Sequence, residues 1–418
     1  MPRLQPPHDP VTLHLDGEPV VAERGEPVAV ALVGAGHMAL ARSTKFHRPR
    51  GPACLRAGCD GCLARVDSVP NVMTCRVPAA DGTRIETQNV VGSRDTDLLR
   101  MADWFFPEGM NHHELLAGVP GLQRVMQAFA RRVAGLGRLP KDAPRPREAH
   151  RRGVDVLVVG AGPAGMATAL ELSRRGRQVE VIDDALAWGG SARALPGEAG
   201  RAWRPLLDAF AEAAATSRVR ARTMTTAAGI YGDDVLVASD AGVEVVTART
   251  LVLAPGAHDG VLAFEGNDVP GVMSARAGGW LSSHGVSFGD RVVVVVADGG
   301  GPFGEAFARA HPASTLVYGT PVRVRGSSRV REVTVATAEG ERQLPCDALL
   351  VDAPRAPAYE VCAQAGAEVA HEPRGFVVHA AGATGKIRDG VFVVGEVAGT
   401  PLEPSAVARA AAALARLA

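Results

Sequence analysis

The stretch VDVLVVGAGPAGMATALELSRRGRQVEVIDD, residues 154–184, decides the fold. It begins with an apolar run typical of a buried strand, continues with G-x-G-x-x-G at Gly160, Gly162 and Gly165, and then shows a helical pattern and a second strand. In a dinucleotide-binding fold the first glycine allows a tight turn, the second lets the pyrophosphate approach the backbone, and the third lets helix and strand pack closely. The pyrophosphate then lies at the helix N-terminus, where free N–H groups and the helix dipole favour negative charge.

The second strand ends in the acidic residue that such a fold requires. Asp183 stands 23 residues after Gly160, where its carboxylate is expected to bind ribose hydroxyls, and Asp184 is the alternative. Pro163 and Ala164 lie between the second and third glycines and are included among the candidate binding residues. Because strand, glycine loop, helix and acid occur in order, the stretch predicts a Rossmann-type dinucleotide site.

Three later stretches favour FAD as the dinucleotide. TLVLAPGAHD (250–259) and GVFVVGEVAG (390–399) resemble the Ala-Thr-Gly segment and the late flavin motif of flavoproteins with two dinucleotide-binding domains. The late motif places an acidic side chain on the ribityl chain, and Glu396 stands where many of these proteins have Asp. WGGS (188–191) matches the Gly-Gly turn that commonly follows the ribose acid in these proteins. The further candidate FAD-binding residues are Gly190, Ser191, Ala254, Gly256, Gly395 and Glu396.

A second glycine fingerprint occurs in RVVVVVADGGGPFGEAFARA (291–310), at Gly299, Gly301 and Gly304. The next strand, STLVYG, begins only ten residues after Gly304, so the helix has about two turns at most, and no acid ends that strand. We interpret this segment as a shortened NAD(P)-type fold that has lost its ligand, with NAD(P) binding as the alternative. Arg323 and Arg325 are candidates for a 2′-phosphate site, although solvated charges on an edge strand are the simpler interpretation.

Four of the six cysteines lie in CLRAGCDGCLARVDSVPNVMTC (54–75), spaced C-x4-C-x2-C-x12-C at Cys54, Cys59, Cys62 and Cys75. Three thiolates from one loop and one from later in the chain are typical of a plant-type [2Fe–2S] centre. Gly58 and Gly61 allow the loop to bend around the inorganic sulfides. A structural zinc site, which usually takes paired cysteine arms, is an alternative, as are ordinary buried thiols.

The other thiols and the residues before the loop carry weaker signals. Cys346 and Cys362 lie in apolar surroundings and are expected in the core rather than as a redox pair. STKFHRPRG (43–51) brings together the basic residues Lys45, His47, Arg48 and Arg50. These residues either form a basic surface that binds a partner or offsets the negative charge of the cluster, or they belong to a solvated loop. Their spacing favours the solvated loop.

Length and composition exclude several classes of protein. At 418 residues the chain has room for two or three domains, and 45 Lys and Arg balance 45 Asp and Glu, which argues against a nucleic-acid-binding surface. Six cysteines are too few for a disulfide scaffold of the small secreted type. The start of the chain lacks the pattern of a secretory signal, and the apolar runs are far shorter than the roughly 20 residues of a membrane span. We therefore expect a soluble, cytoplasmic protein.

Local patterns divide the chain into five segments. VTLHLDGEPVVA (11–22) predicts a hairpin around Asp-Gly, with a helix over 31–41 and a strand over 84–90. LPKDAPRPREAHRRG (139–153) is typical of an exposed linker. The predicted fold class is α/β: a ferredoxin-like [2Fe–2S] α+β domain followed by a Rossmann-type flavoprotein fold with two dinucleotide-binding domains. The segments are the [2Fe–2S] domain (1–97), a helical connector and linker (98–152), the first part of the FAD-binding domain (153–265), the shortened NAD(P)-type domain (266–352) and the second part of the FAD-binding domain (353–418).

This order of parts resembles the α subunits of heteromeric amine and amino-acid oxidoreductases: sarcosine oxidase α, hydrogen cyanide synthase, opine oxidases and the proline dehydrogenase complexes. The resemblance covers nearly the whole chain and includes KFHRPRG before the cysteine loop and ADWFFPEGMNHHELLAG (102–118) after it. It implies that the four clustered cysteines bind a [2Fe–2S] cluster and that the first glycine fingerprint with Asp183 binds FAD. In the connector, the aromatic and histidine residues are expected to pack or to form an interface: Trp104, Phe105, Phe106, His112 and His113.

The resemblance also implies a heteromer. A separate flavoprotein β subunit of the D-amino-acid-oxidase type oxidises a secondary amine or amino acid, and this chain moves electrons between the partner flavin, its own FAD and the cluster, and on to an external acceptor. No residue of the chain stands out as a general base, which fits a relay better than an amine-oxidising site. Two alternatives stay open: a self-contained NAD(P)H:acceptor oxidoreductase that uses the second fold, and a non-catalytic scaffold subunit.

Overall fold

The N-terminal part of the chain folds around a five-stranded sheet. The computed structural model describes residues 3–44, 46–101, 103, 121–122, 124–125, 148–379 and 385–418. The predicted hairpin is confirmed: Asp16 and Gly17 both have positive φ, as a tight two-residue hairpin turn requires. The sheet order is β2-β1-β7-β5-β6. The elements are β1 (Pro10–Leu15), β2 (Glu18–Glu23), α1 (Val28–Gly34), β3 (Ala41–Arg42), β4 (Pro49–Arg50), β5 (Leu63–Val66), β6 (Val69–Met73) and β7 (Arg84–Glu86).

Two of the local predictions for this part had the wrong bounds. The helix predicted over 31–41 is α1, which begins at Val28 and ends at Gly34. All seven of its residues are buried, so its sequence is apolar on every side and carries no 3.6-residue period to mark its ends. The chain leaves the helix at Gly36, which has a φ of 94°. The strand predicted over 84–90 is confined to Arg84–Glu86.

The first dinucleotide-type fold has a largely parallel sheet in the order β10-β9-β8-β13, extended by an antiparallel β13-β12-β11 ribbon. Its first strand begins at His150, so the end of the predicted linker is in fact strand, paired with the start of β13 at Glu244. Its elements are β8 (His150–Val159), α2 (Pro163–Arg174), β9 (Val179–Ile182), α3 (Gly197–Arg201), α4 (Arg204–Ala215), β10 (Val219–Arg222), β11 (Thr226–Tyr231), β12 (Asp234–Ser239), β13 (Gly242–Leu253) and β14 (Ala257–His258).

The second dinucleotide-type fold has a parallel four-stranded sheet, in the order β15-β21-β16-β17, beside an antiparallel β18-β19-β20 sheet. The helix after its glycine fingerprint, α6, spans eight residues, as the short spacing predicted. The elements are β15 (Val272–Ser274), α5 (Ala275–Ser283), β16 (Val292–Val296), α6 (Phe303–Ala310), β17 (Thr315–Tyr318), β18 (Thr320–Gly326), β19 (Val330–Thr337), β20 (Gly340–Pro345) and β21 (Ala348–Asp352).

The chain then returns to the first fold, where β26 joins the sheet in parallel beside β13. This part contains β22 (Ala356–Pro357), α7 (Glu360–Gln364), β23 (Glu368–Glu372), β24 (Gly375–His379), β25 (Lys386–Arg388), β26 (Val391–Val393) and α8 (Pro404–Ala415). The prediction that Cys346 and Cys362 are core residues is confirmed, since both are fully buried, in separate apolar clusters. Within the described ranges, every helix is too short or too polar to cross a bilayer.

Candidate functional site

The four clustered cysteines lie close together and form two pairs. The Cys54 thiol donates to the Cys59 sulfur over 3.3 Å, and Cys62 is hydrogen-bonded to Cys75 in the same way. The hydrogen bond from Cys54 is the main cause that lowers the pKa of the Cys59 thiol below its usual value. Three of the cysteines come from the loop before β5, and the fourth lies in a 3₁₀ turn, Thr74–Arg76, directly after β6.

Backbone N–H groups of the loop point at the cysteine sulfurs. The amides of Arg56 and Gly58 donate to the Cys54 sulfur over 3.4 and 3.2 Å, and the amide of Ala57 donates to the Cys75 sulfur over 3.3 Å. Such donors stabilise thiolate charge and tune the potential of an iron–sulfur centre. Gly61 holds the loop against the preceding chain, because a Cβ there would lie 1.8 Å from the Gly51 carbonyl oxygen.

Two thiol pairs with inward-pointing amides fit a binuclear cluster, in which each iron takes two cysteines. Three of the thiols come from one loop and the fourth from later in the chain, as in the ligand set of a plant-type [2Fe–2S] centre. The four thiols therefore fit a [2Fe–2S] cluster.

The first glycine fingerprint opens onto a cavity of about 320 Å³. Twelve of the thirteen candidate FAD-binding residues line it, and Gly165 packs behind them. The lining ones are Gly160, Gly162, Pro163, Ala164, Asp183, Asp184, Gly190, Ser191, Ala254, Gly256, Gly395 and Glu396.

The three glycines of this fingerprint occupy different surroundings. Gly160 has a φ of 104°, and a Cβ there would lie 2.2 Å from the Ala254 carbonyl oxygen. A Cβ on Gly165 would lie 1.9 Å from the Gly160 carbonyl oxygen, so this glycine is needed for packing. A Cβ on Gly162 would meet no atom within 4 Å, so the backbone is open to a ligand there. This arrangement is the one that a bound pyrophosphate requires.

The two acidic residues after β9 differ in environment. The Asp183 carboxylate accepts hydrogen bonds from the amides of Ala161, over 2.6 Å, and Ala185, over 2.8 Å. Burial raises the pKa of Asp183, against these two hydrogen bonds, which favour the charged form. Asp184 is exposed and interacts with Arg76 of the cysteine domain. Asp183 is thus held rigidly at the fingerprint, whereas Asp184 lies at the rim.

Glu396 has a partner that the sequence did not indicate. Its carboxylate forms an ion pair with Arg355, which follows the last strand of the second fold. The Arg355 guanidinium also donates to the Ser191 hydroxyl over 3.5 Å and lies 4.8 Å from the centre of the Phe303 ring. Burial lowers the pKa of Arg355 to about 10. The predicted ribityl acid therefore stands at a junction between the two dinucleotide folds.

Residues of the cysteine domain line the same cavity. The predicted ligand Cys75 forms part of its wall together with Leu55, Arg56 and Arg76, which the sequence did not indicate. The Arg56 guanidinium donates to the Ala257 carbonyl oxygen over 2.5 Å, beside the candidate FAD-binding segment 254–256. The position of Arg56 between two predicted cysteine ligands was the one available signal, but the sequence does not show what this arginine faces.

The described basic residues of the 43–51 stretch have acidic partners. His47 is buried against Asp97 at 2.9 Å, and Arg48 and Arg50 form ion pairs with Asp103 and Asp268. The preference for a solvated loop was therefore wrong for His47, which is buried, whereas Arg48 is exposed, as that interpretation predicted, and Arg50 is half-buried. Arg323 and Arg325 lie on the edge strand β18 and are largely exposed, as the simpler interpretation predicted, and they pair with Glu265 and Glu332. The positions Lys45, Trp104, Phe105, Phe106, His112 and His113 lie outside the described residues.

Two family models match the chain. Residues 8–90 match a 2Fe-2S iron-sulfur cluster binding domain, and residues 154–318 match the pyridine nucleotide-disulphide oxidoreductase family. These matches confirm the predicted fold class and show an FAD and [2Fe–2S] oxidoreductase, and the cysteine loop lies within the matched [2Fe–2S] domain.

Curated relatives extend these matches. The alpha subunit of sarcosine oxidase from Rhizobium meliloti (strain 1021) is 30% identical over 308 residues, which are 67% of this chain and 31% of that protein. A subunit of opine oxidase from Agrobacterium tumefaciens (strain Ach5) is 28% identical over 310 residues, 59% of this chain and 61% of that protein. The chain thus spans less than a third of the sarcosine oxidase polypeptide that it matches.

The structure of L-proline dehydrogenase from P. horikoshii is similar in fold along almost the whole chain. The TM-score is 0.71 at 21% sequence identity, and the match covers 99% of this chain and 74% of the other. At this identity the similarity shows the fold alone.

Proposed function

The chain is a homologue of the alpha subunit of sarcosine oxidase and of a subunit of opine oxidase, and from this premise we propose that it is the electron-transfer subunit of a heteromeric amine or amino-acid dehydrogenase or oxidase. It relays electrons between a partner flavin, its own FAD and its [2Fe–2S] cluster. One observation carries the proposal: the cysteine loop and the first glycine fingerprint form walls of the same cavity, with Cys75 and Gly162 both lining it.

Separate parts of the chain would hold the two cofactors. Cys54, Cys59, Cys62 and Cys75 would hold the cluster, and the loop from Gly160 to Gly165 would hold the FAD pyrophosphate on the N-terminus of α2. FAD supplies two-electron chemistry and the cluster one-electron transfer, while the protein supplies position and electrostatics.

Three arginines keep the cysteine loop against the flavoprotein part. From the cysteine domain, Arg56 donates to the Ala257 carbonyl, and Arg76 donates to the Asp184 carbonyl over 2.6 Å. From the second dinucleotide fold, Arg276 donates to the Cys54 carbonyl over 3.2 Å. The Ser274 amide also donates to the Ala53 carbonyl over 2.9 Å. These contacts join the loop to both dinucleotide folds, and they support a fixed separation between the two cofactors.

The partner would be a flavoprotein β subunit of the D-amino-acid-oxidase type that oxidises a secondary amine or amino acid, with an external acceptor at the other end of the relay. The names of the sarcosine and opine oxidase relatives, which designate them as subunits, support a heteromer. The absence of a prominent general base in the sequence supports oxidation of the amine outside this chain.

The test follows flavin absorbance and the electron paramagnetic resonance of the reduced cluster under anaerobic conditions. The purified chain is mixed with NADH, with NADPH or with candidate amines, alone and together with a flavoprotein subunit that co-purifies with it from the native organism. We expect reduction only when both the partner and an amine are present. Rapid flavin bleaching by NADH or NADPH in the isolated chain would contradict a relay and favour a self-contained oxidoreductase.

A further inference from the structure

The amides of the second glycine fingerprint are engaged by a side chain of the protein itself. The Gly301 amide donates to Oδ1 of Asp352 over 3.1 Å, and the Gly304 amide donates to Oδ2 over 2.6 Å. Asp352 is the last residue of β21, and only 3% of its surface is exposed. The carboxylate therefore occupies the backbone donors that, in a dinucleotide fold, would face a pyrophosphate.

The first fold of the same chain has a different residue at the corresponding place. A Cβ on Gly165, the third glycine of the first fingerprint, would lie 3.4 Å from the Cβ of Ala254. A Cβ on Gly304, the third glycine of the second, would lie 3.1 Å from the Cβ of Asp352. Ala254 and Asp352 thus occupy equivalent positions relative to their fingerprints, and the methyl group of one is replaced by the carboxylate of the other.

The electrostatics of the second fold suit this carboxylate and oppose a second anion. The N-terminal N–H groups and the dipole of α6 favour one negative group. Burial raises the pKa of Asp352 to about 6, so the side chain is ionised at neutral pH. A pyrophosphate would meet a buried like charge and would lack the two amides that Asp352 already holds.

The end of β21 is also fixed from the other side. Arg355, three residues further on, lies over the ring of Phe303, the first residue of α6, and pairs with Glu396 of the first fold. The segment that carries Asp352 therefore contacts α6 at two points, through the Arg355 guanidinium and through the carboxylate at the N-terminus of the helix. Moving the carboxylate aside would disturb this junction as well.

We propose that Asp352 is a built-in occupant of the phosphate site of the second dinucleotide fold, and that this fold takes no NAD(P)(H) in the native chain. The inference concerns a site separate from the cofactor cavity of the first fold, and it does not depend on the identity of the partner or of the amine. It gives the second fingerprint a structural role: its donors stabilise the end of β21.

Isothermal titration with ADP-ribose tests the proposal on FAD-loaded protein, in which the first fold is already filled. The wild-type chain is expected to show no saturable binding. Asp352→Ala, which gives the second fold the residue found in the first, is expected to show saturable binding of ADP-ribose, with a dissociation constant at least about tenfold below the highest concentration at which the wild type shows none, because it frees two backbone donors. Asp352→Asn removes the charge and can accept from only one of the two amides, so it should gain measurable but weaker binding; it serves as a second variant if the alanine variant does not fold.

Asp298→Ala is the matched control, because Asp298 is an exposed acid of the same loop. It should bind no better than the wild type, which separates occupancy of the amides from a general loss of negative charge. Saturable binding of ADP-ribose or NADH by the wild type would overturn the proposal. So would a variant at position 352 that melts as a folded protein yet gains no binding. A relay test that failed for lack of the right partner would leave these titrations unaffected.

Discussion

Asp259 holds the guanidinium of Arg276 through both carboxylate oxygens, over 2.6 and 2.7 Å, directly behind the cysteine loop. Both side chains are nearly buried, and Arg276 also donates to the Cys54 carbonyl. The charge and hydrogen bonds of Arg276 offset the effect of burial and keep the pKa of Asp259 below its usual value. This pair therefore connects the second dinucleotide fold to the loop that bears the predicted cluster ligands.

Arg276→Gln should destabilise the protein by about 3–5 kcal/mol, because it leaves the Asp259 charge buried without its partner. Denaturant unfolding of the FAD-loaded protein measures this loss. Arg276→Gln combined with Asp259→Asn should cost less than the single change, since no charge is then left unpaired. A double variant as unstable as the sum of the two single variants would show that the pair does not interact in this way.

Cys75→Ala should abolish the cluster while FAD stays bound, because one iron loses half of its thiolate ligands. Iron content per chain and visible absorbance after anaerobic reconstitution measure the effect. Cys346→Ala is the control: it removes a buried thiol of the second fold and should keep the full iron content. Retention of two irons per chain by Cys75→Ala would exclude this residue as a ligand.

Asp183→Ala should weaken FAD binding by about 10- to 150-fold, equivalent to the 1.5–3 kcal/mol of a hydrogen bond to a charged group. Fluorescence titration of the apoprotein with FAD gives the dissociation constant. The neighbouring acid supplies the control, because Asp184 is exposed at the rim and Asp184→Ala should change the affinity by much less. Equal losses in the two variants would mean that position 183 has no special role.

Glu180→Gln should lower the free energy of unfolding at pH 7 by about 3 kcal/mol, because Arg152 and Arg222 lose a buried carboxylate. Glu180 is 5% exposed and accepts hydrogen bonds from Arg152 over 2.6 and 2.8 Å and from Arg222 over 3.0 Å. Glu171→Gln, which removes an exposed pair with Arg174, should cost under about 0.5 kcal/mol.

The effect of Glu180→Gln should also depend on pH. Burial opposes ionisation, but the hydrogen bonds from Arg152 and Arg222 outweigh it and lower the pKa of Glu180. A depressed pKa contributes stability that is present above the unfolded value of about 4.3 and is lost as the pH falls through the folded value. The difference between wild type and variant should therefore shrink below about pH 4. A gap that is constant from pH 7 to pH 3 would rule out this contribution.

The sequence predicted those features of the site that are encoded locally. The fingerprint from Gly160 to Gly165 and the cysteine loop each consist of residues close together in the chain, whose spacing is set by one turn or one ligand set. The contacts that join these parts could not be predicted, because they link distant residues: Arg56 meets Ala257 across 201 positions, and Gly301 meets Asp352 across 51. The short α1 was misplaced for a different reason, since a helix buried on all sides has no amphipathic period.

The shared wall of the cofactor cavity has a thermodynamic consequence. Because Arg56 and Arg76 of the cysteine domain line the cavity that Gly162 and Asp183 open into, dinucleotide binding and attachment of that domain are linked equilibria. The coupling free energy between two such equilibria is the same in both directions. Loss of the flavin favours release of the cysteine domain by a certain factor. A substitution that releases the domain must lower the affinity for flavin by that same factor.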